Sequence, residues 1–141
     1  LEKLDSAHLI RIVSEIGGRL PIHCTGLGKA MLAYMPPVKL KRILREKGLV
    51  PYTQNTITNP AALERELVSI RQRGYAIDDG EIMLGLRCVA APIFDAKGQV
   101  NYALSISGMQ GNLEGERLDK ITSRVVSAAA AISKAWKQTS L

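Results

Sequence analysis

The chain has 141 residues, of which 46% are hydrophobic and 23% charged. That is one domain's worth of globular sequence, able to bury about 68–70% of the unfolded chain's surface. No apolar run approaches the roughly 20 residues of a membrane span, and Cys24 and Cys88 stand far apart with no CxxC and no neighbouring histidine pair. This usage argues against a zinc site and gives only weak grounds for a disulfide, so the expectation is reduced thiols in a cytoplasmic protein. LEKLDSAHLIRI at the N-terminus lacks the layout of a signal peptide.

The net charge of +6 raises the question of nucleic acid. Its densest basic segment, VKLKRILREKG at 38–48, sets Lys39, Arg42 and Lys47 around an apolar stripe of Leu40, Ile43 and Leu44. That is the pattern of a solvated helix face, and no aromatic residues are interleaved to stack on bases.

Taken in chain order, LIRIVS (9–14) reads as a strand, and Gly17-Gly18 turns the chain into a short extended RLPI. Thr25 then caps a helix that carries Gly26 and Gly28 in its first turn. Pro36-Pro37 closes that helix and opens another, which stops at Gly48. Thr58-Asn59-Pro60 starts a third helix, with Leu63, Leu67 and Ile70 as its apolar stripe and Gly74 at its end. Tyr75 to Asp78 is a strand running into the Gly80 turn. GLRCVAAPIFDAKGQVNYALSISG (85–108) is a hairpin turning at Asp95, Lys97 and Gly98. A last helix runs from about Glu114 to Trp136, with Leu118, Ile121, Val125, Ile132 and Trp136 on one side, where packing on its own sheet is expected. Mixed helices and antiparallel strands make the class α+β.

The hairpin carries the chemistry. With the turn centred on Ala96-Lys97, Asp95 opposes Gly98, and the alternation of side chains sorts the strands into two faces. Ile93, Ala91, Val89 and Arg87 share one face with Val100, Tyr102, Leu104 and Ile106, which is large, mostly apolar and fit to lie under helices. On the other face Cys88 is placed opposite Ser105 and Leu86 opposite Ser107, beside Ala90 and Ala103. Small side chains there leave room above the sheet, and three hydrogen-bonding groups line it. This is the composition of a ligand pocket floor, although a solvent-facing strand surface gives the same pattern. TGLGKA adds backbone N–H groups at a helix start, where glycines let an anion approach closely. The same glycines also suit close helix packing. TGLGKA is not a P-loop, because that motif needs a longer loop and a hydroxyl after the lysine, and here Ala30 follows Lys29.

RLPIHCTGLGKAMLAYM, RQRGYAIDDGE and GLRCVAAPIFDAKGQVNYALSISG, in this order over about residues 9–137, closely resemble the effector-binding domain of IclR-type bacterial transcriptional regulators. The resemblance implies a GAF-like α+β fold with a central, mostly antiparallel sheet flanked by helices, a small carboxylate effector, no cofactor, no catalysis, and homodimers or homotetramers. It further implies that operator DNA is bound only through a separate N-terminal winged helix-turn-helix domain. Residues 1–141 are accordingly expected to be the regulatory domain, without that DNA-binding domain or the helix and strand that usually precede LIRIVS. Carried over residue by residue, effector contacts fall on Gly26, Leu27, Asp78, Cys88, Ser105 and Ser107, with Leu9, Ile12, Leu20 and Leu86 as apolar lining. Serine hydroxyls and the N–H groups at 26–28 would donate to a carboxylate, and Asp78 would accept from a ligand hydroxyl. Asp78 also reads as a simple turn residue before Asp79-Gly80. Relatives of this kind often have a smaller residue where Leu27 stands, which bears on the size of the effector.

Two other readings compete. One is an enzyme with Cys88 as nucleophile and His8 or His23 as base, though a mid-strand cysteine lacks the helix start or basic neighbour that activates a thiol. The other is a protein docking surface on the small face. The expected function is a ligand sensor in a repressor of a catabolic operon, responding to a keto-, hydroxy- or sugar-derived acid.

Overall fold

The structure is a computed structural model that describes residues 16–139. The expected strand at 9–14, with Leu9, Ile12 and the nearby His8, lies outside the described residues.

Helix α1 (Gly26–Leu32) starts where Thr25 Oγ1 accepts the Gly28 N–H at 3.2 Å and donates to the Pro21 carbonyl at 2.8 Å. This serine/threonine cap satisfies an N–H that the first helical turn would otherwise leave unpaired. Pro37, whose ring fixes φ for a first helical position, opens α2 (Pro37–Lys47), and Gly48 at φ 68° ends it. α2 buries no residue completely and rests on the core through Leu40 and Leu44. Asn59 caps α3 (Pro60–Arg73) by accepting the Ala62 N–H at 3.1 Å, and Gly74, left-handed at φ 82°, terminates it.

Strand β1 is Ala76–Asp79, one residue later than the sequence suggests. Arg73 explains the offset, since its Nε donates to the Tyr75 carbonyl at 2.8 Å and its guanidinium lies 5.1 Å from the centre of the Tyr75 ring. β2 (Leu86–Phe94) pairs antiparallel with β1 and with β3 (Val100–Met109), giving the order β1-β2-β3. A 3-10 turn (Gln110–Asn112) leads into α4 (Gly115–Thr139).

The hairpin register departs from expectation by two residues. The Gly98 N–H does donate to the Asp95 carbonyl at 3.0 Å, as a four-residue turn requires. The Asp95 N–H, however, pairs with the Gln99 carbonyl at 2.9 Å, so Gly98 at φ 74° becomes an extra residue. The Asp95 carboxylate holds this loop by accepting the Lys97 and Gln99 N–H groups, each at 2.8 Å. A second shift between Ile93 and Phe94 leaves Asn101 as another extra residue. Cys88 therefore faces Ser107, Ala90 faces Ser105 and Leu86 faces Met109. Because the total shift is two, the side chains beyond Ile93 and Tyr102 keep their expected faces, while Val100, between the two shifts, pairs with Phe94 instead of Ile93.

Each face has its own apolar cluster. Val89, Ala91 and Ile93 pack under Val125 and Ala129 of α4, joined by Ile77, Leu104 and Leu118. On the other side Ala76 and Ala90 pack with Ala30 and Leu32 of α1 and with Leu63, Leu67 and Ile70 of α3. A fully buried leucine in such a cluster contributes roughly 1.5–3 kcal/mol. α4 lies on its own sheet as expected, with one correction: Ile132 is exposed and Ser133 is buried in its neighbourhood. Ser133 Oγ accepts the Phe94 N–H at 2.9 Å and donates to the Ala129 carbonyl at 2.8 Å, which turns that side of the helix toward β2.

Candidate functional site

The start of α1 sits directly on the small face of the sheet. A Cβ added to Gly26 would lie 2.8 Å from the Cys88 sulfur and 3.3 Å from the Ala90 Cβ. Much of the room expected above the alanines is thus filled by the helix itself, and their smallness admits its backbone. A Cβ on Gly28 would overlap the Ile22 carbonyl, so this glycine is required by close backbone approach. The Gly28 N–H is also taken by Thr25, and the Lys29 N–H bonds the Thr25 carbonyl. The N–H groups expected at 26–28 narrow to Leu27 and to Gly26, which faces the Cys88 sulfur.

The polar residues converge beside this contact. Ser107 is the ladder partner of Cys88, Ser105 stands on the same face opposite Ala90, and Gly26 packs against the Cys88 sulfur, so the two hydroxyls and the Gly26 N–H favour the thiolate form of Cys88. Cys88 is buried, Ser105 half-buried and Ser107 exposed, so the group runs from the interior out to solvent. Asp78 is the ladder partner of Cys88 in β1 and is only 1% exposed. Its carboxylate accepts the Glu81 N–H at 2.8 Å, and the nearby Ile82 N–H also favours its charged form. Asp78 therefore is the turn residue it resembles, and it also places a buried carboxylate next to Cys88. Burial pushes its pKa up, while those N–H groups and Lys29 pull it down.

Of the remaining predicted residues, Leu27 is half-buried and packs against the α1–α3 cluster, Leu86 is buried, and Leu20 is 46% exposed. Sequence reasoning missed Lys29. Its side chain is 1% exposed, and Nζ donates to the Ile77 carbonyl at 2.7 Å and to Glu81 Oε1, and lies 3.5 Å from Glu66 Oε1. The signal available was a lone lysine in a seven-residue helix otherwise built of Gly, Ala, Leu and Met. Glu81, 6% exposed, was missed too; its Oε2 is buried without a hydrogen-bond partner among the described residues.

Burial raises the pKa of the Cys88 thiol above its ordinary value, against the hydroxyls and N–H that lower it, so the sulfur is held as a poor nucleophile. His23 is engaged elsewhere, with Nε2 3.0 Å from the Val50 carbonyl and its ring against Tyr52. Among the described residues no group of three His, Cys, Asp or Glu is arranged to hold a metal ion. Both cysteines are free thiols. No described helix is long and apolar enough to cross a membrane. A separate, open cleft of about 420 Å³ lies between the end of α4 and β2, lined by Tyr34, Phe94, Val126, Ser133, Lys134 and Lys137 among others. It shares no residue with the cluster around Cys88.

Residues 1–134 match the family described as bacterial transcriptional regulator IclR, C-terminal. The HTH-type transcriptional regulator BhcR of Paracoccus denitrificans is 42% identical over 133 residues, 94% of this chain and 48% of that protein. The transcriptional repressor IclR of Escherichia coli is 38% identical over 136 residues, 96% of this chain and 50% of its own length. The crystal structure of the Thermotoga maritima IclR superposes with a TM-score of 0.91 at 38% identity, covering 96% of this chain and 55% of that one. The chain thus spans about half the length of the curated relatives it matches.

Proposed function

Since this chain belongs to the IclR family of bacterial transcriptional regulators, we propose that it is the effector-sensing domain of such a regulator, most simply a repressor of a catabolic operon. The observation that carries the reading is that Ser105 and Ser107 share one sheet face with Cys88, with the start of α1 at Gly26 above them and the buried Asp78 beside them. Serine hydroxyls and helix-start N–H groups beside the Cys88 sulfur are donors of the kind a ligand carboxylate takes, and a buried carboxylate acceptor beside them suits a hydroxyl on the same ligand. The effector class that fits is a small aliphatic keto-, hydroxy- or sugar-derived acid, since no aromatic side chain among the described residues joins the cluster.

The effector acts by linkage: it binds one conformer or assembly better than another and shifts the balance by that difference. The operator is read by a separate winged helix-turn-helix domain, and the sensing domains assemble as homodimers or homotetramers. The proposal is tested by thermal shift against pyruvate, glyoxylate, sugar-derived 2-keto acids and simple aromatic acids. An acid at about 100 times its Kd stabilises the fold by roughly 2.7 kcal/mol, which is a visible shift. Loss of that shift in Ser105→Ala and Asp78→Ala supports the site. A flat panel from a folded protein favours a docking surface for another protein, which bulky replacements at Ser105 and Ser107 would then block.

A further inference from the structure

Lys29 connects four separate pieces of chain. It stands on α1 and reaches the Ile77 carbonyl of β1, Glu81 in the turn after β1, and Glu66 on α3, which is itself held by Arg73 at 2.7 Å. A buried ammonium costs several kcal/mol of lost hydration, so Lys29 persists only with these partners. The turn it grips is the one whose Glu81 N–H binds the Asp78 carboxylate, with the Ile82 N–H nearby. α1 and the 78–82 turn flank Cys88 beside the β3 serines, and the Lys29–Glu81 ion pair is a direct link between these two pieces.

We propose that Lys29 and Glu81 form a positioning pair, fastening the turn after β1 to α1 and so holding the Asp78 carboxylate in place beside Cys88. Neither residue touches the effector in this account; both act through Asp78, and the consequence for effector affinity rests on the sensor reading above. Asp78 is faced by Lys29 from α1, Cys24 from the segment before it, Glu81 from the turn, Asp79 from its own strand and Cys88 from β2. Glu66 and Arg73 of α3 act on this group through Lys29 and Glu81. Lys29 is the cation among the described residues whose charge acts on Asp78, and Glu81 is its nearest counter-charge. Removing the cation and removing the counter-charge must then move Asp78 in opposite directions, which general loosening of the fold does not do.

The test follows the Asp78 carboxyl carbon by NMR across pH in the unsubstituted chain, in Lys29→Met, Lys29→Arg and Glu81→Gln, together with hydrogen exchange at the Glu81 and Ile82 amides. Lys29→Met is expected to raise the Asp78 midpoint and to lower protection of both amides about tenfold or more. Glu81→Gln is expected to lower the midpoint, and Lys29→Arg to restore protection. The glyoxylate affinity, measured at one pH, is expected to fall in Lys29→Met and recover in Lys29→Arg. Midpoints that stay fixed, or move together in the same direction, overturn the proposal. If Lys29→Met does not fold, Glu81→Gln decides alone: a lowered midpoint supports the pair and an unmoved one overturns it. If no acid binds the unsubstituted chain, the sensor reading fails, and the midpoints and exchange still decide the positioning pair.

Discussion

Asp78 lies directly across the β1–β2 ladder from Cys88, and both side chains are buried on the face that α1 covers. A carboxylate in that position must settle its charge with the turn and with Lys29, because water does not reach it freely. The balance shows in the direction of its titration: burial outweighs the lowering effects, and the same holds for Glu81.

This gives a pH dependence of definite sign. Asp78 and Glu81 have reference pKa values of 3.8 and 4.5 and are raised in the folded chain. Over the window from those values up to the raised ones, the folded state binds protons that the unfolded state has released. Their contribution to stability therefore declines as pH rises through that window and is level above it. Urea unfolding at steps between pH 4 and 8 checks the sign. Glu81→Gln removes one of the two groups and is expected to flatten the decline.

The two glycines of α1 make a second prediction, because they differ in what surrounds them. At Gly28 the obstacle is the Ile22 backbone carbonyl, which cannot move without its strand of chain; at Gly26 it is the Cys88 side chain and the Ala90 methyl. Gly28→Ala is expected to cost about 3 kcal/mol or more, the upper end for overpacking, and Gly26→Ala about 1–3 kcal/mol. Denaturant midpoints at constant slope would establish the order. In Gly26→Ala the effector response should also be lost, since the helix start must lift off Cys88.

The thiols offer a third check. Burial first, then the nearby Asp78 and Glu81 charges, push the pKa of Cys24 up to about 12, and burial also raises Cys88. Neither is a thiolate at neutral pH, so both should react with a disulfide reagent far more slowly in the native protein than in urea. Rapid labelling of Cys88 in the native state would reopen the reading of that residue as a nucleophile.

Much of this was legible in the sequence, for reasons that are local. Thr25, Asn59-Pro60, Gly48 and Gly74 mark helix ends by their own backbone chemistry, and the alternation in 86–94 and 100–109 assigns the two faces of the hairpin. The ladder register was not legible. It depends on Gly98 and Asn101 entering β3 as extra residues, and the bond that forces the first of them, Asp95 N–H to the Gln99 carbonyl, needs coordinates to see. Faces beyond both shifts survived because two single-residue shifts sum to an even number. Lys29 was hidden for a different reason: its partners are 48 and 52 positions away, and a lysine's usual place is the surface. The small residues of the hairpin turned out to serve two ends, with Ala90 and part of Cys88 seating α1 and the serines forming the polar edge.

The central claim is that a small acid binds at the Cys88 cluster. The most direct measurement is a titration of the ¹⁵N-labelled chain with glyoxylate and pyruvate, following amide shifts residue by residue. The account predicts saturable shifts at Gly26, Leu27, Cys88, Ser105 and Ser107 that vanish in Ser105→Ala. Shifts gathered instead around Tyr34, Lys134 and Lys137, in the cleft beside α4, would contradict it.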